Sequence, residues 1–257
     1  MKTMKSKFYS LALAAGMLTL TACSDDNTND SNNDKGNGIE NGSILKGTIT
    51  EDVTLKAGNT YKLSGEYIVE AGATLNIEEG VKIISVYDNI VDYILVKQGA
   101  KINAVGTPDK PIVMTSEKEE PGAWGGIHIC GKAHTNAEGG KGSSEIGGAV
   151  YGGNDDADNS GTLQYIRLEY TGFAFDEEHE ANGISFYGVG NGTIVDHCEA
   201  YKGSDDGFEF FGGSVNVSNM VVISCSDDSF DWTEGWNGKG TDLVAYQEAK
   251  ATLGYDC

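Results

Sequence analysis

The sequence is poor in positive charge, in proline and in long apolar runs. Its 257 residues carry 18 Lys and Arg against 39 Asp and Glu, and Arg167 is the single arginine. A surface with net charge −21 repels polyphosphates, which makes nucleic acid and anionic lipid headgroups poor partners for it. Only 3 prolines punctuate the chain, and 36 glycines take their place. With 39% apolar residues, that balance fits a turn-rich β protein better than a helical one or a disordered chain. The four histidines, His128, His134, His179 and His197, lack zinc-site spacing. Gly139 to Ser144 is Gly-rich but lacks the preceding strand and fixed spacing of a phosphate-binding loop. No Ser/His/Asp set stands out either.

What is present begins with an address. Lys2, Lys5 and Lys7 precede a largely apolar stretch of 13 residues from Phe8 to Leu20. A membrane span needs about 20 residues, so this length reads as a signal peptide over residues 1–22. Leu20-Thr21-Ala22-Cys23 follows and resembles the bacterial lipobox. That resemblance implies acylation of Cys23 and anchoring in the outer membrane rather than spanning of it. Residues 23–42, rich in Asn, Asp and Gly, cannot bury apolar area and read as a flexible acidic tether. Ser24-Asp25-Asp26 resembles the surface-export signal of Bacteroidota lipoproteins, which implies a cell-surface location. Four further cysteines, Cys130, Cys198, Cys225 and Cys257, are even in number in a compartment that permits disulfides. Cys198 aligns with Ile and Met in its neighbouring repeats, which favours a buried thiol there.

From residue 44 onward, short β-branched or aromatic runs alternate with Gly, and the segments repeat. Ala57 to Leu63 matches Ala71 to Ile77, and Gly99 to Ala104 repeats the pattern. A second type comprises Gly126 to Gly131, Gly183 to Gly188 and Gly207 to Gly212, with Ser229 to Trp232 keeping the pattern. Before these, Tyr165 to Leu168 aligns with His197 to Ala200 and with Asn219 to Val222, at spacings of 32 and 22 residues. Coils of this length cannot bury an apolar face alone but form a continuous core when stacked. The expected fold over residues 43–257 is all-β, a right-handed parallel β-helix with an insertion loop at about 132–162. Its expected inward residues are Ile166, Leu168, Ile184, Phe186, Cys198, Ala200, Phe208, Phe210, Met220, Val222, Phe230 and Trp232. A β-sandwich is the alternative; repeats in register favour the solenoid.

Gly72 to Glu78, the Gly106 to Ile112 loop, Trp124 to Ile127 and Asp205 to Gly213 resemble a group of secreted Bacteroidota lipoproteins with a parallel β-helix. The resemblance covers nearly all of residues 44–257 and implies fold and location, not an activity. Such relatives continue beyond Asp256-Cys257, so the expectation is a chain whose C-terminal coils are missing.

The least usual stretch lies between residues 199 and 234. It holds Glu199, Asp205, Asp206, Glu209, Asp227, Asp228, Asp231 and Glu234, with Lys202 the only base. The 22-residue spacing places Asp205 over Asp227, Asp206 over Asp228 and Glu209 over Asp231, about 5 Å apart at the usual strand separation. Like charges that close repel, and three readings account for them. One is a solvated acidic turn, since Asp suits turns and Asn182 holds the equivalent place one coil earlier. Another is Ca²⁺, a hard cation taking 6–8 oxygens, with Asp205, Asp206, Asp227 and Asp228 as ligands. The third is catalysis: Glu209 and Asp231 have the spacing of a retaining glycosidase pair, or Lys202 serves as the base of a lyase, with Lys239 a further lone lysine. The loop Asn154 to Asn159 reads as a solvated insertion with a weaker cation signal. Arg167 aligned with Glu199 reads as a cross-coil ion pair.

Trp124, Tyr187, Phe211, Trp232 and Trp236 accompany the second repeat type. Trp232 falls inward, and Trp236, after Gly235, is the better exposed ring. A flat ring beside carboxylates holds a sugar by stacking and hydrogen bonds, which points to Trp236, Glu209 and Asp231 as ligand-binding residues. The expected function is a cell-surface module that binds extracellular glycans or a partner protein, without a definite catalytic set. The alternatives are a polysaccharide lyase or glycoside hydrolase, and a purely structural surface stalk.

Overall fold

The computed structural model describes residues 38–88, 90–174 and 180–248. Cys23, the residues read as a signal peptide, most of those read as a tether, His179 and Cys257 lie outside the described residues, as do residues 249–257. Among the described residues no helix is long and apolar enough to cross a membrane.

The alternation of apolar and polar residues produces short strands that stack in parallel in three columns, faces A, B and C. Face A stacks the end of β2 (Ile44–Ile49), the end of β4 (Thr60–Val69), β7 (Tyr93–Val96), β10 (Ile127–Cys130), β14 (Ile184–Tyr187), β16 (Phe208–Phe211) and β18 (Phe230–Thr233). Face B stacks β1 (Gly38–Ile39), β3 (Val53–Leu55), β5 (Thr74–Ile77), β8 (Lys101–Val105) and the first halves of β13 (Gly161–Glu169), β15 (Ile194–Tyr201) and β17 (Asn216–Ile223). Face C stacks the start of β4, β6 (Lys82–Ser85), β9 (Ile112–Ser116), the second halves of β13, β15 and β17, and β19 (Gly240–Tyr246). The fold is a parallel β-helix.

The 32- and 22-residue spacings are the register itself. Ile166 pairs with Cys198 and Leu168 with Ala200, which pairs in turn with Val222. Phe186 pairs with Phe210, and Phe210 with Trp232. The ten residues expected inward from Ile166 to Val222 are buried. Phe230 packs against the core partly buried, whereas Trp232 is 58% exposed. Trp232 has the inward parity expected of it, but no described strand stacks above β18. Core rings follow one another up the solenoid, as with Phe186 and Phe210, whose centroids lie 5.1 Å apart at 8°.

The first repeat type behaves differently. Leu75 stacks beneath Ile102 on face B, as the match of Ala71–Ile77 with Gly99–Ala104 implies. Ala57–Leu63 instead leads into face C, where Leu63 pairs with Ser85. A turn followed by an alternating strand recurs on two faces, so likeness of sequence there is not vertical adjacency. The solenoid also begins earlier than residue 43. Ile39 packs against the core, and its carbonyl accepts the Tyr61 hydroxyl at 3.1 Å.

Corners are turned by left-handed residues stacked in register. Between faces B and C these are Tyr165, His197 and Asn219, with φ of 51°, 52° and 53°. Such angles point these side chains outward and let Tyr165 and His197 stack at 4.5 Å. At Gly126, with φ 65°, a Cβ would overlap the carbonyl oxygen of Asn182 in the next coil.

The insertion lies between β10 and β13 and contains the antiparallel pair β11 (Gly142–Ser143) and β12 (Val150–Tyr151). It folds over the outer side of face A. Ile146, Ala149 and Tyr151 pack there on Leu95, Cys130, Tyr187 and Phe211, forming a second apolar cluster outside the solenoid core. Cys130, Cys198 and Cys225 are free thiols, all buried.

Candidate functional site: an acidic pocket beside face A

The turns that lead from face C into β16 and β18 carry the paired aspartates. Their geometry follows from the register that pairs Glu209 with Asp231. Asp206 Oδ1 accepts the Asp228 backbone N–H at 2.9 Å, and the Asp228 carbonyl accepts the Gly207 N–H at 2.9 Å. The Asp206 carbonyl accepts the Gly183 N–H at 3.0 Å, tying the same turn to the coil below.

These turns wall a pocket of about 210 Å³ lined by Asp205, Asp206, Glu209, Asp227, Asp228, Asp231, Glu145 and Glu180. No basic side chain lines it. Carboxylate oxygens of Asp205, Asp206 and Asp227 lie within 4.8 Å of one another, and so do those of Asp206, Glu209 and Asp231. Asp206 belongs to both triads. Sequence reasoning missed Glu145, which arrives from the insertion, and Glu180, which arrives from the loop between β13 and β14. Neither has a repeat partner that could have signalled it.

Two acids of the 199–234 stretch go elsewhere. Glu199 accepts Arg167 Nη1 at 2.6 Å across one coil, as its alignment implies, and Arg167 Nε also holds Glu169 at 2.6 Å. Glu234 takes hydrogen bonds from the hydroxyls of Tyr151 and Thr135 in the insertion.

Burial and crowding hold protons in the pocket. Burial, then Glu180 and Asp227, pushes Asp205 up to about 7. Burial and Asp205 push Asp206 up to about 8. Glu209 is pushed up to about 10 by burial, Glu145, Asp206 and Asp231, although Asn182 Nδ2 donates to its Oε2 at 2.6 Å. All lining groups are hard oxygen donors, the type of ligand that Ca²⁺ takes.

Lys202 is not among the lining residues. It reaches Glu248 at 3.6 Å and lies over the Tyr201 ring at 4.9 Å. Lys239 is likewise not among them; its backbone N–H donates to Asn216 Oδ1 at 3.0 Å. The tryptophans exchange the parts expected of them. Trp236 is partly buried, stacks on Phe210 at 4.6 Å and donates its indole N–H to the Val215 carbonyl at 3.1 Å. Trp232 is the exposed ring. The reason is that Trp236 folds back to cap the Phe210 column that Trp232 leaves uncovered.

His197 faces outward on its corner, where Nδ1 meets Asp196 at 2.8 Å. His128 is buried against face A with Nε2 on the Gly125 carbonyl at 2.7 Å, and burial lowers it to about 4. The 154–159 loop places Asp156 against His134 at 2.8 Å and Asp158 against Ser160 at 3.2 Å.

The stacked parallel strands, with a covered outer face and a carboxylate pocket at one corner, define a parallel β-helix protein. The chain belongs to the family described as pectate-lyase-like β-helix domain, whose model matches residues 47–257. No curated protein and no solved structure matches it. Family membership gives the protein a glycan-related setting.

Proposed function

We propose that this is a glycan- or partner-binding module of the outer-membrane surface, anchored through acylated Cys23, with Ca²⁺ held in its acidic pocket. One observation carries the reading: eight carboxyl side chains surround a pocket of about 210 Å³ that no basic residue lines. A carboxyl cluster of this density keeps protons or takes a cation, and a divalent ion relieves the repulsion with the oxygen ligands that the two triads supply. Asp205, Asp206 and Asp227 make one set, and Asp206, Glu209 and Asp231 the other; Asp228 completes the wall. An ion seated there can share its remaining positions with the hydroxyls or carboxylates of a bound glycan. The lipid anchor and surface location rest on the first forty residues of the sequence.

The test is calorimetric titration of Ca²⁺ and then of a glycan panel into the chain. Saturable Ca²⁺ uptake, and glycan binding that needs it, support the reading. A chain that takes up neither, and whose melting temperature ignores Ca²⁺, is the structural stalk instead.

A second reading, glycoside hydrolysis, is favoured by the pairing of Glu209 with Asp231 on adjacent strands. Glu209 is pushed up to about 10 and carries a proton at neutral pH, as a general acid must. Release of reducing ends from a glycan, abolished by Glu209→Gln, identifies it. A lyase that takes its base from Lys202 has less support, because that amine lies outside the pocket lining.

A further inference from the structure

Several contacts join the insertion to the last coil, and one of them is made by a histidine. His134 Nδ1 lies 2.8 Å from Asp156 Oδ1, and Nε2 lies 2.8 Å from the Gly235 carbonyl oxygen. Asp156 Oδ1 also accepts the His134 backbone N–H at 3.1 Å, so it acts there as an acceptor. A carboxylate and a carbonyl have no hydrogen to give. A neutral imidazole donates from one nitrogen only, whereas the imidazolium donates from both. The arrangement is therefore fully satisfied only by protonated His134.

We propose that His134 is a protonation-dependent latch, which as imidazolium pins the insertion to the turn after β18 and as neutral imidazole releases it. The fastening is local. Gly235 is 101 residues from His134, in the turn after β18. The neighbouring contacts run the same way: Asn136 N–H donates to the Glu234 carbonyl at 3.0 Å, and Tyr151 donates to the Glu234 carboxylate at 2.9 Å. The titratable and charged groups on the segments that meet at the latch are Asp155, Asp156 and Asp158 on the loop, Lys132 at the start of the insertion, Tyr151 on β12, and Glu234 on the last coil.

The direction of titration agrees with the geometry. The Gly235 carbonyl and Asp156 raise His134 above its ordinary value, and His134 lowers Asp156. A histidine raised on folding stabilises the closed state fully below its unfolded pKa and loses that contribution as pH rises through its folded pKa. Asp156, being lowered, gives way only at distinctly acidic pH. The latch is thus closed below the ordinary histidine value and opens as pH rises through the raised one. Opening loosens the cover over Cys130 and Tyr187, and with it the segment that carries Glu145 to the pocket wall.

The experiment is imidazole NMR of the full chain, with hydrogen exchange corrected for intrinsic rates at pH 6 and pH 9. His134 is expected to show the doubly protonated signature at pH 6 and to lose it by pH 9. Protection of residues 133–152 is expected to fall about tenfold or more over that range, in line with loss of one charge-assisted hydrogen bond. His134→Gln is expected to reduce the fall to the part that Asp205 and Asp206 contribute, and Asp156→Asn to move the histidine transition to lower pH. A neutral His134 at pH 6, or an unchanged pH response in His134→Gln, overturns the proposal. Should His134→Gln not fold, the imidazole signature in the wild-type chain decides.

Discussion

Asp206 and Asp228 stand one above the other, 22 residues apart, and are joined because Asp206 Oδ1 accepts the Asp228 backbone N–H at 2.9 Å. The bond fixes one oxygen of Asp206 to the scaffold. It also places Asp206 in both carboxylate triads, so this side chain senses the electrostatics of the whole pocket.

Stability in the absence of divalent ions should fall as pH rises from about 4 to about 8. Asp205 and Asp206 keep their protons in the folded chain up to about 7 and about 8, but give them up near the ordinary carboxylate value once unfolded. Between those limits the folded state binds more protons than the unfolded state, so the slope of stability with pH is negative. Thermal melts in chelator should lose at least about 5 °C over that range, and added Ca²⁺ should restore most of it at pH 8. A melting temperature that climbs from pH 4 to pH 8 in chelator contradicts the buried carboxyl pocket.

Asp206→Asn should stabilise the cation-free protein by about 1 kcal/mol or more at pH 8, because it removes a buried charge and keeps an acceptor for the Asp228 N–H. The same change should erase the Ca²⁺-induced rise in melting temperature. Urea unfolding with and without Ca²⁺ measures both effects.

Phe210→Ala should cost about 3–5 kcal/mol, since its ring lies in the column between Phe186 and Trp236 and leaves a cavity with aromatic walls. Gly126→Ala should also destabilise, through the clash with the Asn182 carbonyl. At Gly139, whose φ is also positive, nothing lies within 4 Å of an added Cβ, so Gly139→Ala tests strain without a clash. Chemical denaturation of the three variants ranks them.

Cys130, Cys198 and Cys225 should resist alkylation until the chain unfolds. All three are buried, and burial pushes their thiols up to about 12, about 12 and about 11. Mass mapping after native and denaturing iodoacetamide treatment reads this directly. An even count of cysteines in an oxidising compartment permits disulfides, but each of these three thiols is free and buried.

Much of this was legible in the sequence because a solenoid turns spacing into adjacency. The pairs Ile166 with Cys198 and Glu209 with Asp231 follow from counting 32 and 22 residues. The six aspartates and glutamates that the repeats align all reach the pocket. What was not legible came from outside the repeat. Glu145 and Glu180 sit in excursions outside the repeat, so no spacing aligns them with the other acids. The exchange between Trp232 and Trp236 has a similar origin, since parity says which way a side chain points but not whether a coil covers it. The likeness of Ala57–Leu63 to Ala71–Ile77 records a shared turn-and-strand pattern, which every corner of such a fold can use.

The most direct test is calorimetric titration of Ca²⁺ into the chain at neutral pH, beside an Asp205→Asn, Asp227→Asn double variant. The account predicts saturable uptake by the wild-type chain and at least a tenfold loss of affinity in the variant, which removes two of the three carboxylates of one triad. Heats indistinguishable from dilution in the wild type, or equal affinity in the two proteins, contradict it.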